Sequence, residues 1–104
     1  MHKLAFGPAG IPHSAPQQGL LEGIKHCAAL GLNAMELEFV RGVYLNEETA
    51  RMARPLAEKL DVALTVHAPY YINLNSHKEE IVKASMQRLY MSCKMGGIAG
   101  ATSV

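Results

Sequence analysis

The residues best suited to chemistry gather in one stretch, Leu64-Thr65-Val66-His67-Ala68-Pro69-Tyr70-Tyr71-Ile72-Asn73-Leu74-Asn75-Ser76. Its apolar, β-branched opening reads as a buried strand that ends on His67, and Pro69 breaks it. A histidine at the carboxyl end of a strand, followed by a loop, stands where α/β proteins place their sites. A neutral imidazole there can ligate a metal ion, or it can simply bond to a neighbouring backbone group. Tyr70, on the following loop, can stack against a planar partner or pack the loop down. Two carboxylates, Glu36 and Glu38, share one face of an earlier strand, and Arg41 sits in the loop that leaves it. Of the two, Glu38 is nearer the strand's carboxyl end and so nearer any site there, although a salt bridge with helix lysines or arginines is the commoner role for both.

The elements that must position these groups follow from periodicity. Lys3-Leu4-Ala5-Phe6 is a short first strand, and residues 7–16, with three prolines and two glycines, form a loop of fixed bends. A helix is predicted from about Gln17 to Leu30, with Leu20, Leu21, Ile24, Cys27 and Ala28 on one stripe and Gly31 placed to cap its end. Residues 34–40 alternate with period two, setting Met35, Leu37 and Phe39 on one face and Glu36 and Glu38 on the other. Asn46 caps a second helix, Glu47 and Glu48 suit its first turn, and Pro55 predicts a kink or break inside it. A third strand spans 63–67. Ser76 and Glu79 form a capping box for a third helix, Gly96-Gly97 ends it, and 101–104 opens a fourth strand.

Strands therefore begin near Lys3, Ala34, Ala63 and Ala101, a repeat of about 30 residues that is the spacing of βα units on a parallel sheet. Such a sheet implies right-handed helical crossovers. One hundred and four residues suffice for one small domain. Net charge is +1, so a nucleic-acid contact would have to be local rather than global. Cys27 and Cys93 fall in helices without metal-ligand spacing and read as reduced thiols. The amino terminus lacks the apolar core of a signal peptide, and no apolar run approaches the ~20 residues of a membrane span. A cytoplasmic chain with no membrane partner is expected. Gly7-Pro8-Ala9-Gly10 is not a phosphate loop, since it lacks the third glycine and Pro8 removes an amide donor. Neither cysteine has a partner histidine in sequence context, so the field narrows toward metal chemistry.

His67-Ala68-Pro69-Tyr70-Tyr71-Ile72-Asn73-Leu74 resembles the strand-three signature of the endonuclease IV family, zinc-dependent apurinic/apyrimidinic endonucleases within the xylose-isomerase-like TIM barrels. The resemblance is tight over these eight residues and loose over the rest of the chain. It implies an α/β fold built as a parallel βα repeat, roughly the first three and a half units of a TIM (β/α)8 barrel, with 1–104 a single partial domain. A whole barrel takes eight units and about 250 residues, so the chain is expected to be the amino-terminal part of a longer protein. The resemblance further implies hydrolysis of the phosphodiester 5′ to an abasic site in DNA, with clustered zinc. His67 would be one zinc ligand, Tyr70 a contact to the lesion and Arg41 a second DNA contact. Glu38 remains a candidate additional site residue. His13 is given no role, because the family's histidine directly follows its first strand, whereas here Gly7-Pro8-Ala9-Gly10 intervenes.

Two other functions fit the same residues. The shorter His-Ala-Pro start is also similar to metal-dependent sugar isomerases and epimerases of the same group, in which Glu36 or Glu38 would matter more and Tyr70 less. Open sheet edges would alternatively let two copies of the chain pair into a larger sheet without catalysis. The isolated chain is expected to be inactive, because catalytic zinc takes about three protein ligands and a cluster more.

Overall fold

The computed structural model describes residues 3–40 and 42–104. Its elements run α1 (Leu20–Ala29), β1 (Ala34–Glu38), α2 (Glu47–Leu60), β2 (Ala63–His67) and α3 (Glu79–Ala99). Strands β1 and β2 are parallel and in continuous register from Ala34 opposite Ala63 to Glu38 opposite His67. Period-two alternation divides their side chains cleanly. Met35, Leu37, Leu64 and Val66, with Phe39 just past β1, bury against the helices. Glu36, Glu38, Thr65 and His67 take the opposite face.

Helix α2 lies between α1 and α3. Its buried stripe is Ala50, Ala53 and Ala57, small residues that let both neighbours approach closely. Ile24 and Cys27 of α1 and Met95 and Ala99 of α3 complete the core. Burying each large apolar side chain contributes roughly 1.5–3 kcal/mol. The Asn46 side chain caps α2 as expected, accepting from the Thr49 amide at 2.8 Å. Gly31 follows α1 with φ 79°, while the Leu32 amide donates to Cys27 and the Gly31 amide to Ala28, a Schellman ending. Among the described residues, no helix is long and apolar enough to cross a membrane.

Several boundaries differ from expectation, each for a local reason. The predicted strand at Lys3–Phe6 is not a ladder strand. The parallel bridge to β1 forms further on, at Ala9, where the Glu36 amide donates to Pro8 and the Gly10 amide to Glu36. Asn33 brackets the earlier residues instead, its side chain accepting from the Phe6 amide and donating to the Leu4 carbonyl. Gly7 permits this, because a Cβ there would fall 1.6 Å from the Ala34 carbonyl oxygen. Helix α1 begins at Leu20 rather than Gln17, after Gly19 in an extended left-handed-side conformation at φ 134°. Pro55 does not break α2, which is continuous through it; the residue is exposed, so the missing amide bond lies on the solvent side.

Helix α3 departs at both ends. It starts at Glu79 with Lys78 as cap, and the Ser76 hydroxyl accepts from the Lys78 amide at 3.1 Å, so the Ser76–Glu79 capping box does not form. It passes through Gly96-Gly97 and ends only at Gly100, in left-handed conformation at φ 87°. Gly96 serves packing rather than termination: a Cβ there would lie 2.7 Å from Val66 Cγ2. Residues 101–104 are not a ladder strand either, yet they run beside β2. The Thr102 amide donates to Leu64 and the Val66 amide to Ser103, both at 2.9 Å. Four extended segments thus lie side by side in chain order, two of them regular strands.

Candidate functional site

His67 closes β2, and its carbonyl accepts the Phe39 amide at 2.9 Å, which holds the ends of β1 and β2 level. The exposed imidazole places Nδ1 2.8 Å from the Ala68 carbonyl. A carbonyl only accepts, so Nδ1 carries a proton, and in the neutral ring Nε2 is the nitrogen with the lone pair. The bland role foreseen for this histidine, a bond to neighbouring backbone, is therefore present, and it is the arrangement that orients an imidazole for ligation through its other nitrogen.

The carboxylates behave differently from one another. Glu36 accepts from the Thr65 hydroxyl at 3.2 Å, across the two strands. Glu38 is the lateral neighbour of His67 in register, but its Cγ lies only 3.2 Å from where a Gly10 Cβ would stand, so it leans toward the amino-terminal segment. There it borders a cavity of about 250 Å³ with His13, Gln18, Tyr44 and Gly10 on its wall. Partial desolvation of the phenol, in a residue that stays 66% exposed, and then the Glu38 carboxylate push Tyr44 above its ordinary pKa. The Tyr44 ring also packs edge-on against Phe39 at 5.7 Å. A further cavity of about 300 Å³ lies at the opposite end of the strands, around Asp61, Ala63 and Thr102, and holds no histidine. Among the described residues, no group of three or more His, Cys, Asp or Glu could hold a metal ion. Among these residues Glu38 and His13 therefore do not join His67 in a metal-holding group.

The loop after β2 is built from alternating contacts. The Tyr70 amide donates to the Val40 carbonyl at 3.4 Å, tying it to the loop after β1. Tyr70 is 76% exposed and stands edge-on against Tyr71, ring centroids 5.2 Å apart at 88°. Tyr71 carries the Arg88 guanidinium over its ring at 4.5 Å, and Arg88 Nη1 donates to the Tyr71 carbonyl at 3.4 Å. Ser85, wholly buried on α3, accepts from the Asn73 amide at 2.9 Å and donates back to its carbonyl at 3.4 Å. The Asn73 side chain accepts from the Asn75 amide, an Asx turn. Arg41 lies outside the described residues. Ser85 and Arg88 escaped sequence reasoning, since nothing in a mid-helix serine or arginine marks a partner 12 or 17 residues away.

Parallel strands with helical crossovers, and polar side chains collected at the carboxyl ends of those strands, are the marks of a βα-barrel protein. The model of the xylose isomerase-like TIM barrel family matches residues 24–104, and the chain belongs to that family. Its alternating parallel βα units are those of part of such a barrel. The chain is also similar to an uncharacterized protein of Methanocaldococcus jannaschii, 41% identical over 92 residues that make up 88% of this chain and 32% of that protein. It spans about a third of the length of this curated relative.

Proposed function

We propose that the chain is the amino-terminal part of a zinc-dependent, endonuclease-IV-like enzyme that hydrolyses the phosphodiester 5′ to abasic sites in DNA. The observation that carries this reading is the pairing of His67 with Tyr70 on one rim. The imidazole has its Nδ1 proton committed to Ala68 and a free Nε2, and an exposed aromatic stands on the loop beside it. An exposed ring at a site rim can stack on bases or fill a gap in a duplex. Zinc, when bound by His67 with further ligands, would supply a hydroxide and charge stabilisation at the phosphate. Arg41 is proposed as a second DNA contact and Glu38 as an accessory site residue. The test is incision of an abasic-site duplex by the full-length protein with and without a chelator. Loss of zinc and of incision in His67→Ala supports the reading; incision that survives both chelation and His67→Ala refutes it.

A sugar isomerase or epimerase of the same group is favoured by a separate observation, the Glu38–Tyr44–His13 cavity beside the strand ends. Under that reading Tyr70→Ala leaves turnover intact, and the full-length protein shows no preference for abasic over intact duplex.

A further inference from the structure

The loop after β2 and the helix α3 meet at two points whose spacing matches. Along the loop, Tyr71 and Asn73, two residues apart, both meet the helix. Along α3, Arg88 and Ser85 receive them, three residues apart and so neighbours on one face. The Ser85 contact fixes only backbone. The Arg88 contact fixes a side chain, because the guanidinium covers the Tyr71 ring while its Nη1 holds the same residue's carbonyl. Among the described residues Arg88 forms no ion pair, so its charge faces the ring rather than a carboxylate. Tyr71 in turn is the surface against which the exposed Tyr70 ring stands at a right angle. On its far side the Tyr71 hydroxyl reaches Gly42, where a Cβ would meet it at 3.3 Å.

We infer that Arg88 is a positioning residue for Tyr70: by clamping the Tyr71 ring it sets the wall against which the exposed tyrosine is presented at the rim. Arginine suits this role better than lysine, since a planar guanidinium both stacks on an aromatic face and donates in its own plane. The functional part of the inference rests on the proposed contact between Tyr70 and DNA; the geometric part does not.

The experiment has two readouts on the full-length protein. Aromatic NMR of the tyrosine rings is compared in wild type, Arg88→Gln and Arg88→Lys. The expected result is movement of both Tyr71 and Tyr70 ring signals in Arg88→Gln, with partial return in Arg88→Lys, which keeps the cation. Tyr70 signals that stay in place while Tyr71 moves overturn the inference, and the Arg88→Lys variant decides the matter should Arg88→Gln fail to fold. Affinity for an abasic-site duplex is then measured in a double-mutant cycle with Tyr70→Ala. Arg88→Gln should weaken binding about three- to ten-fold in the wild-type background and less than about two-fold when Tyr70 is absent. An equal loss in both backgrounds overturns the inference, since Arg88 would then act on DNA directly. Moving rings with unchanged affinity in Tyr70→Ala refute the DNA contact and leave the positioning role standing.

Discussion

Two adjacent glycines in α3 should respond oppositely to the same substitution. Alanine at position 96 would place its Cβ 2.7 Å from Val66 Cγ2, and 3.7 Å from Val66 Cβ. Ordinary contact begins near 3.4 Å, so the two sides must give by a few tenths of an ångström, and by about 0.7 Å (3.4 minus 2.7) to reach it. Val66 has little room to yield, because its branched Cβ restricts χ1 and the side chain is buried. Overpacking of this kind costs typically about 1–3 kcal/mol. Alanine in place of glycine within a helix returns roughly 1 kcal/mol of propensity. The net expectation for Gly96→Ala is a loss of up to about 2 kcal/mol. Gly97 is exposed, and nothing lies within 4 Å of its Cβ position, so Gly97→Ala keeps only the gain, about 0.5–1 kcal/mol. Subtracting one variant from the other removes the propensity, leaving the steric cost by itself. Urea unfolding with unchanged slope measures both midpoints. Equal shifts in the same direction for the two variants would refute the close approach of α3 to β2.

Ser85→Ala removes both bonds to Asn73 and leaves that residue's amide without its acceptor, costing about 1–3 kcal/mol, with faster hydrogen exchange at Asn73 as the specific mark. Asn46→Ala should cost about 1 kcal/mol in chemical denaturation, whereas Asn46→Asp, an equally good cap beside Glu47 and Glu48, should cost little. Tyr44 has a raised pKa in the fold, so the stability it contributes is present below its unfolded pKa and lost as pH climbs through the folded one. Tyrosinate absorbance should show it ionising later than an ordinary tyrosine, and Glu38→Gln should bring it only part of the way back because burial is the larger cause. Of the two thiols, exposed Cys93 should react with a thiol reagent in the native state, while Cys27, buried and with its pKa raised by desolvation, reacts only on unfolding.

The middle of each element was legible in the sequence, and its ends were legible only where the signals that set them are local. The run Ala63–His67 was predicted with the bounds it has, because β-branched alternation and Pro69 act within a few residues. The cap at Asn46 was legible for the same reason. Gly96-Gly97 was misread as a stop because a glycine pair signals chain freedom locally, whereas its use here is a close approach to a strand thirty residues earlier. Ser76 formed its bond one residue short of a helix start, a choice between two nearly equivalent turns that composition does not rank. The outer segments failed as ladder strands where Pro8 interrupts donors and where, among the described residues, 101–104 make two backbone bonds to β2 beside one from the Thr102 hydroxyl.

For the candidate site the division falls along a different line. Alternation alone put Glu36 and Glu38 on one face and Met35, Leu37 and Phe39 on the other, but left open which face the helices cover. The alanine stripe of α2 and the apolar stripe of α1 decide it, since they have apolar surface to bury and only the Met35–Leu37 face can receive it. Glu36, Glu38, Thr65 and His67 keep the other face by exclusion. That exclusion also explains why His67 could be singled out while its supports could not. Its place at a strand end follows from a local pattern, whereas the residues that hold the adjoining rim, Ser85 and Arg88, act across the gap between loop and helix. Their contribution exists only once α3 has packed against α2 and β2, with Gly96 closing on Val66, and so it leaves no mark in the local sequence.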